Sequence, residues 1–355
     1  MKKSKLSLFL APALALMLTA CGGGGGDTAT EEPAPETGGD QATEQVETKT
    51  IRAGIGLNDA HPQYKGLLKF KEIVEEKTEG SIVVETYHSG QLGDDRTMTE
   101  GLQLGSQEVT IPSTAPIANF VPEFSVFDFP FLFPSEEVAD TVLDGEVGQQ
   151  FLDMLPEQNL VGLAYWENGF RDLTNSVRPV ATVEDFKGLK IRTMENELHL
   201  DAFRALGANP TPMAFTELFA ALQQRTVDGQ ENPYATIYLQ KFHEVQDHVS
   251  NTHHIYSPFV FLMSKSFFDD LTEEQQQIVQ EAAIEAGQYQ RELNREANAQ
   301  YLEDLQAEGM TYTEITPEAR EEMVERIRPV LDEYAEKIGS DLVNQVYDAI
   351  EAAQQ

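Results

Sequence analysis

The stretch from Leu189 to Pro233 constrains the fold more than any other part of the chain. Leu189 and Ile191 alternate with Lys190 and Arg192, the period-two pattern of a short strand with one buried face. Leu198, Ala202, Phe203 and Leu206 then recur at helical spacing, and Gly207 stands where a helix stops. Asn209-Pro210-Thr211-Pro212 imposes an extended link, because proline cannot continue a helix. A second helix pairs Phe215 with Phe219 and Leu218 with Leu222. The chain then turns through Val227-Asp228-Gly229 into Gln230-Glu231-Asn232-Pro233. Strands and helices in this order build an open α/β sheet, where ligands bind beyond the carboxyl ends of the strands. Arg192 stands at such an end. Its guanidinium is a rigid fork of donors that matches a carboxylate. From the residues alone two roles stay open: receptor for an anion from outside, or partner of one of the chain's own acids.

The alternation extends along the chain. Ile51 to Gly56, Ile82 to Tyr87 and Glu108 to Ile111 read as strands, with helices at Tyr64 to Thr78 and Asp94 to Leu104. Asn119 to Pro134 is dense in phenylalanine and broken by prolines, which fits a core-lining connector better than a substrate-stacking wall. Val138 to Leu155 is expected as one helix. Val161 to Trp166 is expected as a strand, with Glu167-Asn168-Gly169-Phe170-Arg171 at its end. A further strand is expected near Val249 to Leu262. Thr272 and Gln275 form a capping box that opens a helical run to about Ala307. At about 1.5 Å per residue that run is roughly 50 Å long, more than one small domain needs, so it is expected to cross two lobes. An amphipathic helix around Pro317 to Ile338 is followed by a short tail over residues 346–355.

Among 355 residues, 60 are acidic and 25 basic, a formal net charge of -35. That surface repels nucleic acid and anionic headgroups, and it also suits a saline or alkaline habitat. An acidic chain that binds an anion must make its site locally positive, so buried arginines gain interest. The single cysteine, Cys21, can form neither an internal disulfide nor a cysteine metal cage. Lys2, Lys3 and Lys5 precede an apolar run from Leu6 to Leu18, and Leu18-Thr19-Ala20-Cys21 looks like a bacterial lipobox. Residues 1–20 are then a cleaved export signal, and Cys21 carries a lipid on the outer face of the cell membrane. The rest of 21–48 is a low-complexity, flexible linker.

Arg192, Gly207-Ala208-Asn209-Pro210-Thr211-Pro212-Met213 and Asp228-Gly229-Gln230-Glu231-Asn232-Pro233 together resemble the core signature of TRAP-transporter solute-binding proteins. TRAP transporters are tripartite, ATP-independent importers driven by an ion gradient. The resemblance extends from about Ile51 to about Glu336. It implies a two-lobe, periplasmic-binding-protein-like α/β fold, with doubly wound sheets and a long helix spanning both lobes. Lobe I is expected over 49–168 with a return segment near 258–295, and lobe II over 169–257 with a return near 296–345. The resemblance implies that Arg192 binds the ligand carboxylate and that Arg171 touches the ligand or supports Arg192. It further implies that Asn232 contacts the ligand, that Phe215 packs on it and that Asp95 reaches the cleft. Ser113, Trp166 and Tyr234 are expected to complete the wall, with Asn58, His61 and Thr114 as further candidates. Glu231 is expected either to orient Arg192 or to be a solvated turn residue. Family members that bind sialic acid carry a glutamate where this chain has Ser113 and an asparagine where it has Gly56, which points to a smaller acid with fewer hydroxyls. The implied partners are that acid and a small and a large integral-membrane subunit. No cofactor, metal or nucleic acid is expected, and the chain is expected to act as a monomer.

Enzyme signatures fail on inspection. Gly54-Ile55-Gly56 follows the first strand, but the third glycine of a dinucleotide fingerprint would fall on Asp59. Adjacent His253 and His254 point to opposite faces of a strand, a poor metal pair. No serine or cysteine sits in a nucleophile elbow. Three rivals stay open: the binding lipoprotein of an ABC importer, a surface enzyme acting on small acids, and a ligand sensor feeding a kinase.

Overall fold

The structure, a computed structural model, describes residues 48–355; the expected export signal, Cys21 and nearly all of the expected linker lie outside the described residues. Strand β1 (Lys49–Gly54) leads into helix α1 (Pro62–Lys77). The α1 N-terminus is fixed by His61, whose ring accepts the Gln63 N–H at 3.1 Å. Pro62 follows in the first turn, where a missing N–H goes unnoticed. Leu67, Phe70, Ile73 and Val74 form the buried stripe of α1. Next come β2 (Ile82–Tyr87), α2 (Asp95–Gln103), opened by a capping box of Asp94 and Thr97, and β3 (Val109–Thr110).

After α3 (Thr114–Ile117) the aromatic connector coils into a 3-10 turn over Pro122–Asp128. Its phenylalanines are core: Phe127 meets Phe151 at 4.5 Å between ring centroids. The single helix expected over Val138 to Leu155 is two, α4 (Glu136–Leu143) and α5 (Glu146–Leu152). Gly145 breaks it by taking an extended conformation and capping α5; a side chain there would meet the Thr141 carbonyl at 2.7 Å. Strand β4 (Leu160–Asn175) does not end at Trp166 as expected. A bulge at Glu167/Gly169, with Gly169 at φ +112°, lets it continue through Arg171, which is therefore mid-strand.

The second half contains β5 (Lys190–Thr193), α6 (Glu197–Ala205), β6 (Asn209–Pro212), α7 (Phe215–Gln223), β7 (Gly229–Asn232) and α8 (Tyr234–Leu239). The β7 segment was expected as a turn, because Gln-Glu-Asn shows no apolar alternation. It is a buried strand whose polar side chains are paired: Gln230 donates to Thr174 Oγ1 at 2.9 Å, and Asn232 donates to Gln230. Strand β8 (His248–Ser264) and the short α9 (Lys265–Asp269) lead to α10 (Glu273–Ala307), which has the expected Thr272/Gln275 box. Last come β9 (Thr311–Thr313), α11 (Pro317–Ile338) and α12 (Ser340–Ala353). The tail expected over 346–355 is thus largely helical, and α12 buries Val343, Val346 and Ile350.

The strands form one sheet in the order β2-β1-β3-β8-β4-β7-β5-β6, with β9 on β8. Two parallel trios, β2-β1-β3 and β7-β5-β6, are joined through the long antiparallel pair β4 and β8. Strand β3 meets the carboxyl end of β8, whereas β9 meets its amino end, so each half of the molecule shares the same two strands. Along β8, Phe259, Phe261 and Met263 join the core under α1 and α10, while Val260 and Leu262 join the core of the connector, α4, α5 and α12. That alternation is the signature of helices covering both faces. Beside the second trio, one core lies under α6 and α11 and another under α7 and α8. Helix α10 packs on α1 in the first half, on β4 in the middle and on α8 in the second.

Candidate functional site

The carboxyl ends of β1, β3 and β5 and the middle of β4 face one cleft with about 560 Å³ of atom-free space, part of it open to solvent. Its rim is bridged by Asn119 donating to the Glu195 carbonyl at 2.7 Å and Asn196 donating to the Ala115 carbonyl at 3.2 Å.

Strand β5 delivers Arg192, only 2% exposed, into this cleft. Its Nε and Nη2 both donate to the Met213 carbonyl, at 3.0 and 2.8 Å. Its Nη1 has no partner among the described residues. The Phe215 ring lies 5.9 Å from the guanidinium carbon, close enough for a cation–π contact. Burial lowers the Arg192 pKa from 12.5 to about 10, Glu231 partly offsetting this and Arg171 adding to it. The group remains a cation at neutral pH.

Arg171 is placed in the opposite way. Its Nε and Nη2 grip the Glu231 carboxylate at 2.5 and 2.8 Å, and Nη2 also reaches the Glu231 carbonyl at 2.6 Å. Both side chains are fully buried. Burial alone would raise the Glu231 pKa, but the charge and hydrogen bonds of Arg171, with help from His254, hold it well below the usual carboxylate range. Glu231 therefore holds Arg171, not Arg192, and it is no solvated turn residue. Only Nη1 of Arg171 lacks a partner among the described residues.

Asn232, Phe215, Asp95 and Ser113 line the same cleft as the two arginines. Trp166 and Tyr234 do not. Trp166 is taken up by the core under α1 and α10, where its indole N–H donates to the Ala283 carbonyl at 2.9 Å and its ring fills the space left by Gly66 and Gly287. Tyr234 turns into the α7/α8 core, its ring 6.2 Å from that of His253. Burial and the neighbouring Asp172 push its hydroxyl pKa far up. Asn58, donating to the Leu239 carbonyl at 2.7 Å, His61, at 3.2 Å from Thr236 Oγ1, and the buried Thr114 also stay out of the cleft. Gln63, Asn168 and Glu195 line it without having been singled out. For Gln63 a signal existed: it opens the helix after β1, and the first turn of such a helix faces the sheet edge where ligands bind.

Asp95, partly buried in the first turn of α2, has its pKa raised to about 6, first by loss of solvent and further by Asp94, against the opposing pull of the Ser113 N–H and Arg192. The folded state thus holds this proton more tightly than the unfolded chain, whose value is near 3.8. Stability therefore falls as pH rises through the window from 3.8 to about 6, and the full cost stands above it. Asp95→Asn is expected to raise the melting temperature at about pH 7.5, with the gain vanishing as pH falls toward 3.8. Parallel thermal melts across that range check it; a gain that persists at low pH would assign it to another cause.

Residues 53–337 match the bacterial extracellular solute-binding proteins, family 7, called DctP. The C4-dicarboxylate-binding periplasmic protein DctP of Rhodobacter capsulatus is 36% identical over 284 residues, covering 79% of this chain and 85% of its own. The sugar acid binding protein DctPAm from Advenella mimigardefordensis, solved in complex with galactonate, is similar with a TM-score of 0.85 and 44% identity, over 86% of this chain and 99% of that one. A TRAP periplasmic solute binding protein from Sulfurospirillum deleyianum, solved with bound succinate, gives a TM-score of 0.80 at 31% identity, over 84% and 98%.

Proposed function

This chain belongs to family 7 of the bacterial extracellular solute-binding proteins, and on that footing we propose that it captures a small organic acid for a TRAP transporter. The observation that carries the reading is the uncommitted guanidinium of Arg192. A buried cation without an anion is costly, and a carboxylate arriving from outside supplies both the charge and the lone pairs. Arg171 adds the donors of its Nη1, from a pair already neutralised by Glu231. Phe215 covers the apolar part of the acid, while Asn232 and Ser113 meet its polar edges. Capture of this kind requires no covalent step and no cofactor.

Closure follows from the same proposal. The two halves, taken as 49–168 and 169–257 with their return segments, pivot on the bulged β4/β8 ladder, and α10 bends because it is packed on both. A ligand shifts that equilibrium only through its better contacts in the closed state. Among the described residues no helix is long and apolar enough to cross a membrane. A lipid on Cys21 would hold the domain at the cell surface, and the closed form would be what a small and a large membrane subunit recognise.

Calorimetry of the domain with carboxylates (D-gluconate, succinate, pyruvate, benzoate) and with glucose as the uncharged control tests this. At least one acid is expected to bind, to be recovered unchanged after incubation, and to outbind glucose by orders of magnitude. Binding of glucose but of no acid would sink the proposal, and conversion of the acid would favour an enzyme.

A further inference from the structure

Four buried polar side-chain atoms of the cleft lining lack a partner among the described residues, and they fall into two kinds. Arg192 Nη1 and Arg171 Nη1 are donors; Gln63 Oε1 and Asn168 Oδ1 are acceptors. All four residues are at least nine-tenths buried. The Gln63 amide cannot be turned round, because its Nε2 donates at 2.8 Å to the Ile111 carbonyl, which can only accept. The amide nitrogen of Asn168 reaches Ser113 Oγ at 3.3 Å. A carboxylate satisfies the donors but offers the acceptors nothing. Satisfying Gln63 and Asn168 takes hydrogen-bond donors on the ligand itself.

The charges of the lining agree. Asp94, Asp95 and Glu195 face the same space as the two arginines, and Glu231 already neutralises Arg171. Asp94 is engaged in capping α2 and Glu195 stands 4.0 Å from Arg96, so the uncommitted cation of Arg192 confronts above all the carboxyl of Asp95. In a partly desolvated cleft a second carboxylate on the ligand would meet like charge at short range, the arrangement by which binding sites reject wrong partners. Hydroxyl groups find acceptors at the same places.

We infer that the ligand is a monocarboxylate bearing hydroxyl groups, whose hydrogens are received by Gln63 and Asn168 while Asp95 excludes a second carboxylate. This rests on Arg192 docking the first carboxylate, as proposed above. A hydrogen bond lost to a buried, otherwise unpaired group is worth about tenfold in affinity. The preference for hydroxyls over a bare alkyl chain is accordingly about a hundredfold for two such groups.

Four probes separate the parts: D-gluconate (one carboxylate, hydroxylated), hexanoate (one carboxylate, no hydroxyl), D-glucarate (two carboxylates, hydroxylated) and succinate (two carboxylates, no hydroxyl). Calorimetry with wild type, Gln63→Met, Asp95→Asn and Arg192→Lys, each first shown to melt cooperatively, should rank gluconate above the other three. Gln63→Met should cut gluconate affinity about tenfold and narrow the gap to hexanoate. Asp95→Asn should raise glucarate affinity relative to gluconate. Hexanoate binding as tightly as gluconate overturns the hydroxyl half, and glucarate or succinate binding as tightly overturns the single-charge half. In both cases loss of binding in Arg192→Lys would leave the docking proposal standing. If none of the four probes binds, the inference is overturned. If benzoate and pyruvate also fail, the docking proposal falls with it.

Discussion

Replacing Arg192 with alanine or lysine is expected to abolish acid binding while the domain still unfolds in one cooperative transition. The expected loss is about 3–5 kcal/mol, roughly two to four orders of magnitude in affinity, the cost of removing one partner from a buried charge pair. Lysine should not rescue binding, because a point charge on a flexible stem cannot reproduce the planar fork. The stability readout is as informative as the affinity. The Met213 carbonyl is the hydrogen-bond partner of Arg192 and the cation is buried without an acid, so its removal in the ligand-free protein should cost little or even stabilise. Calorimetry and thermal melts on the same preparations check both halves. Unchanged affinity would remove Arg192 from the site, and a large stability loss would reassign it to the scaffold.

The mirror-image result is expected one strand away. Glu231→Ala should destabilise the domain by about 3–5 kcal/mol, because it strands the fully buried guanidinium of Arg171 without its anion. Arg171→Ala should do comparable damage by stranding Glu231, so its effect on ligand affinity is readable only where the variant is folded. The Glu231 carboxyl is held below its unfolded value of 4.5, so the stability it lends is present above that pH and is lost as pH falls through the depressed folded value. Urea titrations at about pH 7.5 measure the destabilisation. A Glu231→Ala loss no larger than that of Arg192→Ala would mean that the two arginines do not differ in kind.

That difference was not legible in the sequence, where both arginines follow short apolar runs. The parts that were legible rest on local signals. The Thr272/Gln275 box and the stripe behind it located α10, the alternation of Ile82 to Tyr87 located β2, and Pro317 with its amphipathic run located α11. Strand β7 escaped because it is buried through paired polar side chains, so its hydrophobic pattern is blank. Strand β4 was cut short at Trp166 because a bulge lets polar Glu167 and Asn168 and then Gly169 stay in a strand. Trp166 was misplaced because its proximity to Asn168 and Arg171 could be read, whereas its packing against Gly66 and Gly287 rests on contacts far away in the sequence. Gln63 carried only the positional signal of opening the helix after β1, and Asn168 went unremarked because what marks it is an unsatisfied acceptor, a property of three-dimensional bookkeeping.

The Asn-Pro-Thr-Pro strand β6 is an open flank of the sheet. Asn209 directs its N–H inward to the Leu189 carbonyl at 2.8 Å and Met213 does so to the Thr193 carbonyl at 3.2 Å, so by alternation Pro210 and Pro212 occupy the positions whose nitrogens face outward. The rim therefore offers a neighbouring molecule none of the donors that strand addition at those two positions requires. The same prolines that set the chain's path toward Phe215 thereby guard this rim against edge-to-edge aggregation.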